Sequence, residues 1–146
     1  ASVEETSEEE VSVEILLDPI DEIILANKVM LNPIYFDFDK SNITAQAAFE
    51  LDKLVELMNK YQTIVIRAES HTDSRGSDKY NQSLSERRAL TTAQYVISKG
   101  IDASRITGVG MGEKMPVNDC GYKCNEEEHQ MNRRSEFIIL EGNPNN

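Results

Sequence analysis

The stretch from Ser70 to Ala89, SHTDSRGSDKYNQSLSERRA, decides how the fold of this chain is read. It puts a carboxylate, Asp73, directly after an apolar, strand-like run. Fifteen positions later comes Arg88, in the first turn of a helix expected to begin at Ser85. The residues between are rich in Ser, Asn, Gly and Asp, the composition of a shaped loop. If strand end and helix start meet, the two side chains form a site with one negative and one positive arm. Such a site suits a zwitterionic group carrying both an amine and a carboxylate. A cation in the first helical turn is disfavoured by about 0.3–1 kcal/mol. An arginine there is better explained by a nearby anion, either Asp73 or a ligand carboxylate, which its planar two-donor fork matches.

Working outward, Ile64, Ile66 and Ala68 alternate with Val65, Arg67 and Glu69, which predicts a strand over residues 63–70. Before it, Thr44 is the expected N-cap of a helix running to Lys60, with Ala47, Ala48, Leu51, Leu54, Val55 and Met58 on its buried face. A short strand is expected over residues 34–38. After the loop, Ala89, Ala93, Val96 and Ile97 define the apolar face of the helix that Gly100 closes. Tyr80 and Leu84 fall on a different face, so a bend is expected near Leu84. Strands over 106–109 and 135–140, and a short helix over 126–131, complete the series. Alternating strands and helices predict an α/β (α+β) fold. The expected form is a two-layer βαβαβ(α)β sandwich with a mixed sheet and helices on one face.

Residues 1–24 hold nine acids and no Lys or Arg, so they carry −9 of the net −11 and leave only −2 for the rest. Residues 1–30 are therefore read as an acidic tail and linker, or the end of a preceding domain. Two short apolar runs within 11–31 are expected as short strands flanking a Pro-marked turn. The compact domain is expected over 31–146. No basic stripe offers counterion release, so nucleic acid is not an expected partner. No apolar run approaches the roughly 20 residues that span a bilayer, and the chain reads as an excised or mature portion of a longer protein.

Cys120 and Cys124 stand close together in a loop-like segment. A local disulfide is favoured over a metal pair or two separate thiols, because a closed zinc site needs further ligands. A bridge would imply an oxidising compartment. His71, Asp73 and Ser70 or Ser74 include the residue types of a hydrolytic triad, but they lie too close along one loop for separately positioned nucleophile, base and orienter. A glycan hydrolase would need two carboxylates at a set separation, for which Asp37 with Asp73 is a candidate pair. His129 lies in an acidic stretch and is expected to be exposed. No catalytic role and no cofactor are expected.

Five blocks occur in one order: Ile34-Tyr-Phe-Asp-Phe-Asp-Lys-Ser-Asn-Ile43, His71-Thr-Asp-x-x-Gly76, Asn81-x-x-Leu84-Ser-x-x-Arg88-Ala89, Gly110-x-Gly-Glu113-x-x-Pro116 and Asn132-Arg-Arg134. Over about residues 31–141 this array resembles the OmpA C-terminal-like family of peptidoglycan-binding domains, which includes peptidoglycan-associated lipoproteins and flagellar stator proteins. The resemblance implies that Asp73 takes the ammonium, and Arg88 the carboxylate, of diaminopimelate in the peptidoglycan stem peptide. It places Thr72, Asn81, Asp37 and Phe36 near that site. It brings Arg133 and Arg134 to the ligand or to acids at the sheet edge, with Arg134 the expected contact. Where the family usually has glycine before the His-Thr-Asp block this chain has Ser70, which would narrow the groove. The implied setting is periplasmic, within an outer-membrane-associated protein anchored to the cell wall, as a monomer or weak dimer. The alternative role is a protein-interaction module using the Cys120–Cys124 loop.

Overall fold

The computed structural model describes residues 23–37 and 39–145. The strand expectation within residues 11–17 and the acidic run before it lie outside these residues. Between Ile23 and Met30 the second apolar run folds back on itself as a hairpin, with β1 (Ile24–Leu25) antiparallel to β2 (Lys28–Val29). The hairpin precedes residue 31 yet belongs to the sheet, because β2 pairs antiparallel with the last strand, β5 (Ser135–Glu141).

The expected strand at 34–38 does not form. Ile34–Asp37 runs outside any ladder, and Phe38 is not among the described residues. Its backbone partners are side chains at the start of the next helix. The Tyr35 N–H donates to Gln46 Oε1 at 3.0 Å, Gln46 Nε2 donates to the Pro33 carbonyl at 2.7 Å, and Thr44 Oγ1 donates to the Tyr35 carbonyl at 3.2 Å. Those contacts use the groups a neighbouring strand would have paired.

Helix α1 spans Ala45–Lys60 and begins as the sequence requires, with Thr44 Oγ1 accepting from the Ala47 N–H. Strand β3 (Val65–His71) follows. Helix α2 then runs unbroken over Asp78–Ser98, capped by Ser77 rather than Ser85. The expected bend near Leu84 is absent because the buried stripe is continuous. Asn81, Leu84, Ser85, Ala89, Thr92, Ala93 and Val96 recur at helical spacing, but three are polar and disguise the period. Strand β4 (Ile106–Gly112) returns parallel to β3, and the short helix α3 (Glu126–Asn132) leads into β5. The five-stranded mixed sheet has the order β1-β2-β5-β3-β4. This is the two-layer α/β sandwich expected from the sequence.

One core joins the layers. Ile66 and Ala68 on β3 pair in register with Ile139 and Phe137 on β5, and these side chains pack with Leu51, Leu54 and Met58 of α1 and Val96 of α2. Burying a large apolar side chain contributes about 1.5–3 kcal/mol, so this cluster is the main stabilising feature. Arg105 locks the α1–β3 corner by donating to the carbonyls of Met58, Tyr61 and Ile64. Helix α2 lies tight on β4, where Gly108 and Gly110 let the backbones of Ala89 and Glu86 approach. Parallel β3 and β4 both end beside the start of α2, and there the chain leaves a cleft.

Candidate functional site

The cleft has a volume of about 640 Å³ and is lined by the end of β3, the first half of α2, the 34–39 segment and α3. Six of the seven residues expected at a binding site line it: Phe36, Thr72, Asp73, Asn81, Arg88 and Arg134. Asp37 does not. Its side chain is exposed and it contributes a main-chain carbonyl, while Asp39 lines the wall in its place.

Asp73 is 6% exposed and heavily paired. Its Oδ2 accepts from Arg75 Nη2 at 2.8 Å and from Arg133 Nη1 at 2.6 Å, and its Oδ1 accepts from the Arg75 N–H at 2.9 Å. Burial pushes its pKa up, but the hydrogen bonds from Arg75 and Arg133 outweigh this and bring it down to about 2. Asp73 is therefore a fixed anion at neutral pH. The loop behind it is held by Asn81, whose Nδ2 lies within hydrogen-bond reach of the carbonyls of Asp73 and Arg75 and of Glu113 Oε1. Thr72 Oγ1 is buried without a protein partner.

Arg88 sits in the middle of α2, not in its first turn, so the helix dipole gives no reason for it. It is placed by the 34–40 segment. Its Nε donates to the Lys40 carbonyl at 2.9 Å, its Nη2 to the Asp37 carbonyl at 3.3 Å, and its guanidinium lies 4.8 Å from the Phe36 ring centroid. Among the described residues no carboxylate forms an ion pair with it. Burial, with Arg133 and Arg87 nearby, lowers its pKa from the usual arginine value, and it remains charged. A half-buried guanidinium bonded only to carbonyls keeps the charge that a ligand carboxylate would neutralise.

Arg133, more than Arg134, is the partner of Asp73. Arg134 turns to Glu136 at 2.6 Å and to the Met115 carbonyl at 2.8 Å, an acid at the sheet and a loop carbonyl. His129 is buried at 4%, against its expected exposure. The acids around it occupy the capped first turn of α3, and the imidazole falls on the inner face. Ser70 is buried and lines the cleft.

Three residues that shape the site carry no sequence signal that singled them out. Arg75 is an unremarkable position within the loop. Glu126 is fifty residues downstream, yet it pairs with both Arg75 and Arg133. Tyr80 donates its hydroxyl to Asp39, whose φ of 58° turns the chain at the cleft mouth. The only sequence hint of that turn is the Asp at 39, a residue that tolerates positive φ.

Among the described residues, two groups have donor atoms close enough to suggest metal binding. Cys120 and Cys124 approach Glu128, but their sulfurs are joined in a disulfide and are not thiolates. Glu69, His71 and Glu136 also converge. There Glu69 is paired with Arg67, and Glu136 with Lys28 and Arg134, so both carboxylates already have cationic partners. Burial lowers the pKa of His71 and favours its neutral ring beside them.

The OmpA family model matches residues 35–131. The chain is 40% identical over 106 residues to outer membrane porin F of Pseudomonas fluorescens, covering 73% of this chain and 32% of that protein. It is 37% identical over 87 residues to the peptidoglycan-associated lipoprotein of Mesorhizobium japonicum, covering 60% of this chain and 52% of the relative. The chain thus spans about a third of the porin and half of the lipoprotein. Among solved structures, it resembles in fold the peptidoglycan-associated lipoprotein from Burkholderia pseudomallei, with a TM-score of 0.64, 24% identity, and coverage of 73% of this chain and 87% of that one. The cell wall anchor of the T6SS from Pseudomonas aeruginosa matches with a TM-score of 0.61 at 23% identity, covering 73% and 75%. These relatives are envelope proteins, and the domain is periplasmic, within an outer-membrane-associated protein. The five sequence blocks, the sheet order and the family match over residues 35–131 agree: the chain belongs to the OmpA family.

Proposed function

We propose that this domain binds peptidoglycan without catalysis and so anchors the protein that carries it to the cell wall, gripping the diaminopimelate of the stem peptide. The observation that carries the reading is the pair of opposite fixed charges in one cleft. Asp73 is an anion held ionised by its arginines, and Arg88 is a cation whose protein partners are carbonyls. A ligand with an ammonium and a carboxylate on one short side chain answers both. Diaminopimelate offers this pair, whereas lysine in the same place offers the ammonium alone. The named relatives include peptidoglycan-associated lipoproteins and a cell wall anchor, which favours the same partner.

Co-sedimentation with purified sacculi tests it. The wild-type domain should pellet with sacculi, and Asp73→Ala or Arg88→Ala should largely abolish this, because leaving one member of a desolvated charged contact unpaired costs about 2–5 kcal/mol. Retained binding by both variants would remove the site from these residues. Release of soluble muropeptides during the incubation would replace a binding role with a hydrolytic one.

A further inference from the structure

Asp73, Arg75, Glu126 and Arg133 form a closed ring of four charges at the cleft wall. Each arginine bridges both acids. Arg75 reaches Asp73 at 2.8 Å and Glu126 at 3.1 Å, and Arg133 reaches Asp73 at 2.6 Å and Glu126 at 2.8 Å. The ring is graded in exposure. The Asp73 side chain is 8% exposed, Arg133 34%, Arg75 48% and Glu126 65%. The anion assigned to the ligand is thus covered, and its Oδ2 already accepts two cationic donors. An ammonium that approaches Asp73 through Oδ2, the oxygen already taken by both guanidinium groups, displaces one of them. Arg75 is the more exposed of the two and the one held to Asp73 by the longer side-chain bond.

We propose that Arg75 is a resident stand-in for the ligand's ammonium on Asp73, and that Glu126 receives its guanidinium when the ligand displaces it. This rests on the proposed peptidoglycan-binding role and adds to it a positioning pair outside the Asp73–Arg88 contact. Arg75 is already bonded to Glu126 through Nη1, so exchange needs only the release of Nη2 from Asp73. The main-chain N–H of Arg75 goes on capping Asp73 Oδ1 throughout. Arg75 then opposes binding as a competitor, while Glu126 promotes binding by stabilising the displaced competitor and by keeping the wall from gaining net positive charge.

The two neighbours in one ion pair therefore have opposite effects, which a purely structural role would not give. A soluble stem peptide ending in meso-diaminopimelate with a free side-chain amine is titrated into wild-type protein, Arg75→Ala, Glu126→Gln, Glu126→Asp and the Arg75→Ala/Glu126→Gln double variant, each checked for folding by circular dichroism. Arg75→Ala should tighten binding and Glu126→Gln should weaken it, each by roughly twofold to fivefold, the range expected of exposed ion pairs. Glu126→Asp should recover much of the loss, and the Glu126→Gln effect should shrink in the absence of Arg75. Weaker binding by Arg75→Ala, or an unchanged affinity for Glu126→Gln, overturns the exchange while leaving the binding role intact. If neither the peptide nor sacculi bind the wild-type protein, the binding role falls and the exchange falls with it.

Discussion

Asp73 and Glu136 are both held at a pKa of about 2, and both are ionised because arginine or lysine donors outweigh the effect of burial. A carboxylate whose folded pKa lies below its unfolded value stabilises the fold above the unfolded value, near pH 4, and that contribution is lost as pH falls towards the folded one. The two carboxylates should therefore add no slope from neutral pH to about pH 5 and a decline between about pH 4 and pH 2, whereas His71 costs stability as pH falls below its unfolded value of about 6.5, all followed by thermal melts across that range. Asp73→Asn should remove part of the slope, because the neutral amide has no proton to take up there. His71 lies on the other side of the same balance. Burial keeps it neutral, so acid that protonates it also works against the fold. At this scale the sequence showed Asp73 and Arg88 clearly, since each lies in a dense local motif. It did not show Glu126, whose place in the ring depends on how α3 docks fifty residues away.

Helix α2 carries the largest difference between sequence and structure. Its buried stripe includes Asn81, Ser85 and Thr92, and the bonds these side chains make explain both the missed continuity and the shape of the site. Ser85, the expected start of the helix, is buried inside it, donating to the Gln82 carbonyl and accepting the Gly112 N–H at 2.9 Å. That second bond ties α2 to the end of β4, just where the cleft begins. Polar side chains that satisfy a neighbouring backbone can sit in a core, and hydrophobic periodicity alone does not register them. The 34–37 segment failed as a strand for the converse reason, since its apolar residues have the right pattern but its backbone is bonded to side chains. The close packing of α2 on β4 yields a sharper expectation. A methyl group at Gly108 or Gly110 would overlap the backbone of Ala89 or Glu86, which cannot move aside as a flexible side chain would. Gly108→Ala and Gly110→Ala should each cost about 1–3 kcal/mol by urea denaturation, the usual range for overpacking. Gly100→Ala meets no neighbouring atom but sits at φ 102°, so any cost there reports backbone strain alone.

Across the whole molecule, covalent and noncovalent constraints concentrate on the side that bears the cleft. The Cys120–Cys124 bridge closes a short loop immediately before the Asn125 capping box of α3, the helix that presents Glu126 and leads to Arg133. A loop with a sequence separation of 4 restrains the unfolded chain by about 2 kcal/mol in the chain-entropy model. Replacing both cysteines with serine should lower stability by about that much and leave the core fold in place, as read by urea titration and far-ultraviolet circular dichroism. Among the described residues, the edge of the sheet away from β4 is formed by β1 and β2, strands of two residues each. With a ligand held at Asp73, as proposed, tension between Asp73 and Ile23 runs from β3 through β5 and β2 and meets that hairpin last. Pulled from Ile23, the hairpin opens one hydrogen bond at a time, whereas the longer ladders of β3 with β4 and β5 share the load. Peeling residues 24–29 would lengthen the chain by about 20 Å at about 3.5 Å per residue, so under the proposed anchoring role the edge hairpin would be a short compliant element that yields before the contact at Asp73 is strained.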